Sequence, residues 1–442
     1  MSADVVARAI EVLEANWNGS HTLPATGLYP HQWSWDSAFI AIGLRHISPR
    51  RAAQEMDALL AGQWSDGRIP QIIFDPHRDN DYSPGSRFWQ SRTITGSPDV
   101  VDTAGLVQPP NHAWAVWKVH KADPDESERR SFLRRAYPRL VAWHEYLRTR
   151  RDRGGHGLAS IVHPWESGTD NSPFWDEALA RVSDTPKHVF DRPDLLHADA
   201  SERPSDREYG RYFWLAERYR DHECDDTDDE YPFLFEDPLF NTLYAVSELA
   251  LARIAEVIGG DPAVHERRAG ELTDALAALF VEGDVNAETG VTIGGGYYAA
   301  HDVVSGARVE KATINGILPL LLPGIPTAAR LIDTFEGPRF LGSDALLPPS
   351  YDATAADLNP ELYWRGPAWF NMAWLAATAL ASHGRSSVAD RIGEELVRLA
   401  DVNNFPEYVE PWKGTPHGTQ RFSWTASLVL ETVRHDGWGI LT

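Results

Sequence analysis

The sequence predicts an all-α protein whose helices pair around a common axis, an α/α barrel with long loops that gather at one end. Three observations support this prediction. Apolar residues recur with helical spacing over about a dozen stretches, few convincing strands separate those stretches, and no flexible linker or low-complexity tract divides the 442 residues. We therefore expect one domain that covers residues 1–442.

Start signals and apolar spacing predict the individual helices. Ser48 followed by Pro49 is typical of an N-cap and a first helical position, and apolar residues then recur at three- and four-residue steps as far as Gln63. The same spacing predicts further helices at roughly 3–16, 34–46, 109–122, 125–150, 207–221, 237–258, 261–282, 311–322, 326–335, 366–383, 386–402 and 423–435.

Two stretches are expected to be extended. The segment from Gly290 to Val309 contains Thr292-Ile293 and Tyr297-Tyr298 and predicts one hairpin, and residues 69–74 predict a short strand. Because so few residues are extended, every motif considered below falls in a loop or at a helix end, where catalytic groups tend to lie on a rigid scaffold.

Composition excludes several classes of partner. A formal net charge of -23 argues against nucleic acids and anionic membranes, which require Lys/Arg surfaces. The longest apolar run, residues 317–326, is too short to span a bilayer. The single cysteine, Cys224, fits a reducing compartment, and Asp4 and Glu11 interrupt any signal-peptide pattern near the start. We expect a cytoplasmic protein.

An acidic turn near residue 165 is the first candidate site. Glu166, Asp170 and Asp176 lie among Gly, Ser and Pro between Trp165 and Trp175. Cleavage of a glycosidic bond needs one carboxylic acid that protonates the leaving oxygen and a second carboxylate across the sugar ring, while indole faces hold the sugar. The alternative is that these acids are solvated turn residues and the tryptophans are core.

The second carboxylate is expected far downstream. Glu407 and Glu410 occur in the segment Phe405-Pro406-Glu407-Tyr408-Val409-Glu410-Pro411-Trp412. Either glutamate satisfies the residue type that a general base requires, so both remain candidates from the pattern alone.

Aromatic side chains accompany the acids in several loops. Tyr29, Trp33 and Trp35 stand directly before a predicted helix and favour a sugar platform, with Asp36 accepting hydrogen bonds from hydroxyl groups. The alternative for Asp36 is that it caps the helix. Tyr363, Trp364 and Trp369 crowd around a Gly-Pro break, and Tyr82 and Gln108 add groups at the rim.

An arginine is the candidate anion-binding group. Arg203 begins the segment Arg203-Pro204-Ser205-Asp206-Arg207-Glu208-Tyr209, where its forked donors could hold a carboxylate or hydroxyl groups beside Tyr209. The alternative is a surface network of arginine and aspartate.

No metal site and no cofactor are predicted. His31, His112 and His163 lack matching ligands nearby in the sequence, and the acids between Asp225 and Glu230 lack the glycine and terminal glutamate of a calcium loop, so we interpret them as a solvated acidic loop. Glycine-rich phosphate-binding and dinucleotide-binding patterns are also lacking from the sequence.

Taken in order, these motifs resemble glycoside hydrolase family 63, in particular its compact bacterial members that hydrolyse glucosylglycerate or mannosylglycerate. The resemblance runs from about Tyr29 to the C-terminus. It rests on YPHQWSWD, GQWSDGRIPQ, VQPP, WESGTDNSPFWD, RPSDREYGRY, ELYWRGPAW, FPEYVEP and SWTAS.

The resemblance implies an (α/α)6 barrel, inversion at the anomeric carbon, Asp170 as general acid and Glu407 as general base. It implies that Arg203 and Tyr209 meet the glycerate, with Tyr82 reaching in from a lid that includes residues 75–108. The residues that it places around the sugar are Tyr29, Trp33, Trp35, Asp36, Gln108, Trp165, Tyr363, Trp364 and Trp369.

Alternatives to this function stay open at the level of sequence. The substrate could be trehalose or a short oligosaccharide, and α/α barrels also host sugar epimerases, for which His31 and His163 are candidate bases. A sugar-binding protein without turnover would use the same tryptophans, but it would not need acids at both Asp170 and Glu407. A phosphorylase would need an anion pocket in place of Glu407. The expected partner is a small glycoside, and a homo-oligomer also stays open.

Overall fold

A computed structural model describes residues 3–285, 292–435 and 437–441 of the chain. The α-helices in these ranges are α1 (Ala3–Ala15), α2 (Ser34–Leu44), α3 (Pro49–Ala61), α4 (Ser86–Trp89), α5 (His112–Ala122), α6 (Pro124–Arg129), α7 (Phe132–Arg150), α8 (Asp176–Ala180), α9 (Asp206–Asp221), α10 (Pro238–Ile258), α11 (Ala263–Leu276), α12 (Ala328–Glu336), α13 (Phe370–Ser382), α14 (Ser386–Val402) and α15 (Ser423–Arg434).

Six segments form a closed inner ring. Helix α2 packs on α5, α5 on α10, and α10 on the 3-10 turns Ile314–Gly316 and Leu318–Leu321. The ring continues from the second of these turns to α13, from α13 to α15, and from α15 back to α2. Helices α1, α3, α7, α11, α12 and α14 alternate with the inner segments along the chain and lie outside them. The protein is thus an (α/α)6 barrel, as predicted.

Residue composition explains which helices lie inside. All of α2 and most of α13 are buried, and most residues on every side of these two helices are apolar. Helix α14 instead buries one stripe that includes Ile392, Leu396 and Leu399 and exposes the opposite charged face. Helix α3 has the predicted start, since the Ser48 hydroxyl accepts a hydrogen bond from the Arg51 N–H.

Short antiparallel sheets occupy the loops. The strands are β1 (Gln32–Trp33), β2 (Ile72–Ile73), β3 (Ser160–Ile161), β4 (Phe235–Glu236), β5 (Phe280–Val285), β6 (Thr292–Tyr298), β7 (Ala300–Asp302), β8 (Ala307–Val309), β9 (Ala368–Trp369), β10 (Tyr408–Val409) and β11 (Pro416–His417). Strand β1 pairs with β2, and β5 pairs with β6. A four-stranded sheet has the order β3-β4-β7-β8, and the last three strands pair in the order β11-β10-β9.

Most predicted helices are confirmed, with bounds that differ by a few residues. The prediction for 311–322 is wrong in type, because this inner segment forms 3-10 turns. Pro319 removes a backbone donor there, and a side chain at Gly316 would contact the backbone oxygen of Tyr298 at 2.2 Å, so the segment approaches its neighbour too closely for a regular helix with side chains.

Two other helical predictions need correction. The stretch 125–150 is divided into α6 and α7 because Ser131 adopts a left-handed backbone with φ 51°. The stretch 261–282 ends as a helix at Leu276, and β5 begins at Phe280, where its backbone pairs with Tyr298.

The predicted single hairpin is also wrong. Strand β6 pairs with the preceding β5, whereas β7 and β8 form a separate hairpin within the four-stranded sheet. Gly290, where the prediction began, lies outside the described residues. The short strand predicted at 69–74 is confirmed as β2.

The acidic segment between Asp225 and Glu230 is not solvated throughout. Asp226 is 1% exposed and accepts hydrogen bonds from Tyr146 and Tyr219 at 2.7 Å each.

Among the residues that the structure describes, no helix combines the length and apolar character needed to cross a membrane.

Candidate active site

One cavity lies where four inner helices begin. Trp35 belongs to the first turn of α2, Gln108 shortly precedes α5, Trp369 directly precedes α13, and Trp424 is the second residue of α15. Long loops from distant parts of the chain therefore meet at one end of the ring.

All fourteen residues selected from the sequence line this cavity. They are Tyr29, Trp33, Trp35, Asp36, Tyr82, Gln108, Trp165, Asp170, Arg203, Tyr209, Tyr363, Trp364, Trp369 and Glu407. The lining also contains residues that the sequence analysis did not select, namely Leu28, Gln71, Ser83, Gly168, Pro193, Asp194, Pro204, Tyr212, Phe422 and Trp424.

Three inner helices begin with an aromatic residue in place of a polar cap. Trp33, Trp369 and Phe422 occupy the N-cap positions of α2, α13 and α15, with extended backbone and no side-chain capping hydrogen bond. Ser, Thr, Asp or Asn at such a position would contribute about 1 kcal/mol. Asp36 lies inside the first turn of α2 and does not cap it, so these helix starts place ring surfaces and a carboxyl group at the cavity.

The three carboxylates of the acidic turn have different surroundings. The Glu166 carboxylate binds the Arg151 guanidinium through two contacts of 2.7 and 2.8 Å, and Asp176 pairs with Arg365. Neither of these acids lines the cavity, whereas Asp170 does. Gly168 lies between Glu166 and Asp170 in the sequence and turns the chain with a left-handed φ of 71°. A side chain at this position would meet the Trp35 ring at 2.5 Å.

Burial sets the protonation of Asp170. It raises the pKa of Asp170 to about 7, opposed by the Arg203 guanidinium and reinforced by the nearby Glu407 carboxylate. A carboxyl group with this pKa is about half protonated at pH 7, and its protonated form can donate a proton.

A three-stranded sheet positions Glu407. Strand β10 follows Glu407 immediately, and its Tyr408 is paired with Trp369 on one side and His417 on the other. Gly418, with φ 65°, turns the chain beside the carboxylate, and a side chain there would lie 2.4 Å from Glu407 Oε2. The sheet thereby connects Glu407 to the aromatic residues that precede α13.

Hydrogen bonds favour the ionised form of Glu407. The Tyr29 hydroxyl donates to Oε1 at 2.8 Å and the Thr419 N–H to Oε2 at 3.2 Å. Burial raises the pKa of Glu407, while Arg203 and the Tyr29 hydrogen bond lower it. Two donors and one guanidinium therefore support a carboxylate that can accept a proton.

The rival glutamate points elsewhere. The Glu410 carboxylate accepts hydrogen bonds from the backbone N–H groups of Trp412 and Lys413 and does not line the cavity. This geometry selects Glu407 over Glu410 as the glutamate that can reach a bound molecule.

A third carboxyl group, Asp36, faces the same space. Burial raises its pKa well above the usual range, and the nearby Glu407 adds to the rise. In its protonated form Asp36 can donate a hydrogen bond as well as accept one, which extends the acceptor role expected from the sequence.

Stacked rings form one wall. The indoles of Trp364 and Trp369 are parallel with centroids 3.8 Å apart, and Trp369 also stacks on Tyr408 at 4.5 Å. Tyr363 adopts a left-handed backbone with φ 41°, an unfavourable conformation for a bulky residue. Its hydroxyl lies 3.5 Å from that of Tyr29, so the strained residue faces the site.

Arg203 is buried, not part of a surface network. Its Nε donates to Asp194 at 3.3 Å, and its guanidinium lies 4.2 Å from the centre of the Tyr363 ring. Arg192 donates to both oxygens of the same Asp194 carboxylate at 2.8 and 2.9 Å, and its guanidinium lies 4.0 Å from the centre of the Tyr209 ring. Asp194 thus orients both arginines and leaves further donors of Arg203 for an anion.

The histidines proposed for an epimerase do not line the cavity. His163 is fully buried, its Nδ1 accepts the Trp165 N–H, and its Nε2 lies 2.9 Å from the Tyr212 carbonyl oxygen. His31 Nδ1 accepts the Asp75 N–H at 3.0 Å. Burial lowers the pKa of both, so each is a neutral structural residue.

Comparison with known proteins agrees with this arrangement. The family described as mannosylglycerate hydrolase MGH1-like glycoside hydrolase domain matches residues 29–425. A mannosylglycerate hydrolase of Rubrobacter radiotolerans is 36% identical over 438 residues, covering 97% of each chain. A glucosylglycerate hydrolase of Mycolicibacterium hassiacum is 37% identical over 445 residues, also covering 97% of each chain.

A solved structure is similar over almost the whole chain. It is the GH63 mannosylglycerate hydrolase from Thermus thermophilus in complex with Tris and D-glycerate, with TM-score 0.86 and 36% identity, covering 97% of this chain and 100% of that one. The chain therefore belongs to the MGH1-like glycoside hydrolases of family 63 and is a glycoside hydrolase.

Proposed function

We propose that the protein hydrolyses an α-linked glycosylglycerate, glucosylglycerate or mannosylglycerate, by a single displacement that inverts the anomeric carbon. The observation that carries this proposal is the cavity itself, where Asp170 and Glu407 face one aromatic-lined space beside a buried arginine. The names of the similar enzymes support the substrate class.

Asp170 is the proposed general acid. Its raised pKa keeps the proton available for the glycosidic oxygen, so that the leaving glycerate departs as an alcohol. Glu407 is the proposed general base and takes a proton from the water that attacks the anomeric carbon on the opposite face of the sugar. Inversion requires the two carboxyl groups to be about 6.5–9.5 Å apart, which leaves room for that water.

Arg203 is the proposed partner of the glycerate carboxylate. Its guanidinium is buried and held by Asp194, so its remaining donors are already oriented before a substrate arrives. Tyr209 and Tyr82 contribute to the same side of the cavity. The stacked indoles of Trp364 and Trp369 then hold the sugar.

The stereochemical course tests the reaction. Proton NMR during hydrolysis of each α-glycoside should detect the β-hexose first, before mutarotation. Initial release of the α-hexose would reject inversion.

The substrate set should contain glucosylglycerate, mannosylglycerate and trehalose, with free hexose as the readout, because only the first two present a carboxylate to Arg203. Exchange of a ring-carbon proton without cleavage would instead favour an epimerase.

A substitution tests the anion-binding role. Arg203→Met should raise KM for glucosylglycerate or mannosylglycerate by about 10²-fold, as expected for the loss of a charge-assisted bidentate contact. Competitive inhibition by free D-glycerate should weaken in parallel, whereas inhibition by glucose should change much less. Equal loss of glycerate and glucose inhibition would contradict a specific contact with the carboxylate.

Three further assignments belong to the same proposal. We propose that residues 75–108, which carry Tyr82, form a lid over the cavity, that the 442 residues act as one catalytic domain, and that the enzyme works in the cytoplasm. The buried thiol of Cys224 fits a reducing compartment. A homo-oligomer stays a prediction, for which molar mass by light scattering is the direct measurement.

A further inference from the structure

We propose that the four-stranded sheet carries a binding site for a zinc-class divalent ion, formed by His156, Glu236 and His301. These three residues lie far apart in the sequence and outside the residues that line the catalytic cavity. Their nearest ligand atoms all lie within 4.8 Å of one another.

The carboxylate of Glu236 is the centre of this cluster. His301 Nδ1 lies 2.7 Å from Oε2, and His156 Nδ1 lies 2.9 Å from Oε1 and 3.1 Å from Oε2. Glu236 is only 1% exposed, so a buried carboxylate meets two imidazole nitrogens and no permanent cation in the contacts that the structure describes for it.

The sheet sets the geometry of two of the three ligands. Glu236 on β4 and His301 on β7 are directly paired in the antiparallel ladder, so their side chains stand on the same face. Arg308, opposite His301 on β8, is the nearest cation along the ladder, and its guanidinium pairs with Glu310 at 3.3 Å. Arg308 is therefore paired with a different carboxylate and does not neutralise the charge of Glu236.

The loop after α7 supplies the third ligand and has little room for other side chains. A side chain at Gly154 would lie 2.3 Å from Glu236 Oε1 and 2.6 Å from His156 Nδ1. Asp152 accepts the Gly157 N–H at 3.2 Å and so closes the loop around His156. A side chain at position 154 would therefore displace the Glu236 carboxylate or the His156 ring from this arrangement.

The donor set and the spacing fit zinc. Two imidazole nitrogens and one carboxylate oxygen are a common three-ligand set for Zn²⁺, with water as the fourth ligand. Bonds of about 2.0–2.1 Å at tetrahedral angles place the donor atoms about 3.3 Å apart. The observed nitrogen to oxygen distances of 2.7–3.1 Å need to increase by a few tenths of an ångström, and the two imidazole nitrogens, which lie within 4.8 Å of each other, need to end at the same spacing of about 3.3 Å. Each imidazole would then carry its proton on Nε2.

Titration with Zn²⁺ tests the proposal directly. The full-length protein, without a histidine tag and freed of metal by EDTA, should bind one Zn²⁺ per chain in isothermal titration calorimetry. His156→Ala, His301→Ala and Glu236→Gln should each weaken this binding by at least about 100-fold. His156 is half exposed, so its removal should leave the fold intact. The matched control is His188→Ala, another exposed histidine, which should bind Zn²⁺ like the parent.

Two further readouts separate a built site from surface histidine binding. Co²⁺ should give the intense visible absorption of a four-coordinate site, and Zn²⁺ should raise Tm by a few degrees. Both effects should disappear in His156→Ala and persist in His188→Ala. Absence of saturable binding, or equal binding by these two variants, would show that Glu236 merely accepts two histidine hydrogen bonds. Neither outcome depends on glycosidase activity.

Discussion

The protein has two buried groups of acidic side chains, and the two groups differ in how many arginines accompany the acids. In one group, Arg151 binds both Glu166 and Asp226, and Arg68 binds Asp226 as well. Burial alone would raise the pKa of Asp226, but Arg151 and Arg68 lower it below its usual range. We refer to Arg68, Arg151, Glu166 and Asp226 as the ionic cluster.

The catalytic cavity is lined by four carboxyl groups, those of Asp36, Asp170, Asp194 and Glu407, and by one guanidinium, that of Arg203. Of these four, only Asp194 forms an ion pair with that guanidinium. Arg203 lowers the pKa of Asp170 and Glu407, but burial outweighs it and the pKa of each is raised. The pKa of Asp36 is raised well above its usual range, and the charged groups that act on it are the carboxylates of Glu407 and Glu55. Equally buried acids thus differ because the cavity has too few cations for its carboxyl groups, which is the condition for proton transfer near neutral pH.

The largest expected effect is on turnover, and it should be confined to the cavity. Asp170→Asn and Glu407→Gln should each lower kcat by about 10²–10⁴-fold, since each removes one proton transfer, with KM changed only a few-fold. The assay is hexose release under saturating substrate. Glu410→Gln, on the same loop as Glu407, is the control and should keep kcat within a factor of ten. Near-normal turnover of either cavity variant would remove that residue from its role.

Disruption of the ionic cluster should instead affect stability. Arg151→Met leaves Glu166 and Asp226 buried without their shared cation, and the free energy of unfolding should fall by about 3–5 kcal/mol in urea titrations. The pH of the titration should be about 7, where the lowered pKa of Asp226 keeps that carboxylate ionised in the parent. A loss below about 1 kcal/mol would mean that the cluster is no more strongly organised than an exposed ion pair.

The protonation difference can be measured without substrate. Because the pKa of Asp170 rises from 3.8 to about 7 on folding, the parent should lose stability as the pH rises through that window. Asp170→Asn avoids this loss, so it should gain on the order of a few kcal/mol over the parent at about pH 8 and almost nothing at about pH 4. Thermal unfolding at both pH values gives the comparison. An equal gain at the two pH values would contradict a raised pKa.

The smallest expected effect is a shift of one limb of the pH profile. Tyr29→Phe removes the hydrogen bond that stabilises ionised Glu407, so the acidic limb of kcat/KM should move to higher pH by at most about one unit. The alkaline limb, which follows Asp170, should stay near the Asp170 pKa of about 7. Movement of the alkaline limb alone would assign the two roles the other way round.

Much of the fold was predictable because helical spacing is a local property. The inner segment at 311–322 was predicted as a helix because its apolar residues recur with helical spacing. Its 3-10 form depends on Pro319 and on the close approach of Gly316 to Tyr298, and that contact is not local in sequence. The hairpin prediction failed for the same reason, since β6 pairs with residues on its other side.

The cavity lining was largely predictable because its aromatic and acidic residues break the pattern of the helices that they precede. The resemblance to family 63 decided between Glu407 and Glu410, which the residues alone left open. Asp194 was missed because its role depends on the folded positions of Arg192 and Arg203. A sharper signal was available in Trp33, Trp369 and Phe422, aromatic residues at positions where a polar helix cap is expected.

The contact between α2 and α15 has a consequence for refolding experiments. These helices are near opposite ends of the chain, yet they are neighbours in the inner ring. Tyr29 from the first half contacts both Glu407 and the Phe422 ring from the last stretch before α15. Recovery of hydrolysis after dilution from denaturant should therefore lag behind recovery of helical circular dichroism, because the active site is complete only after α15 has packed against α2.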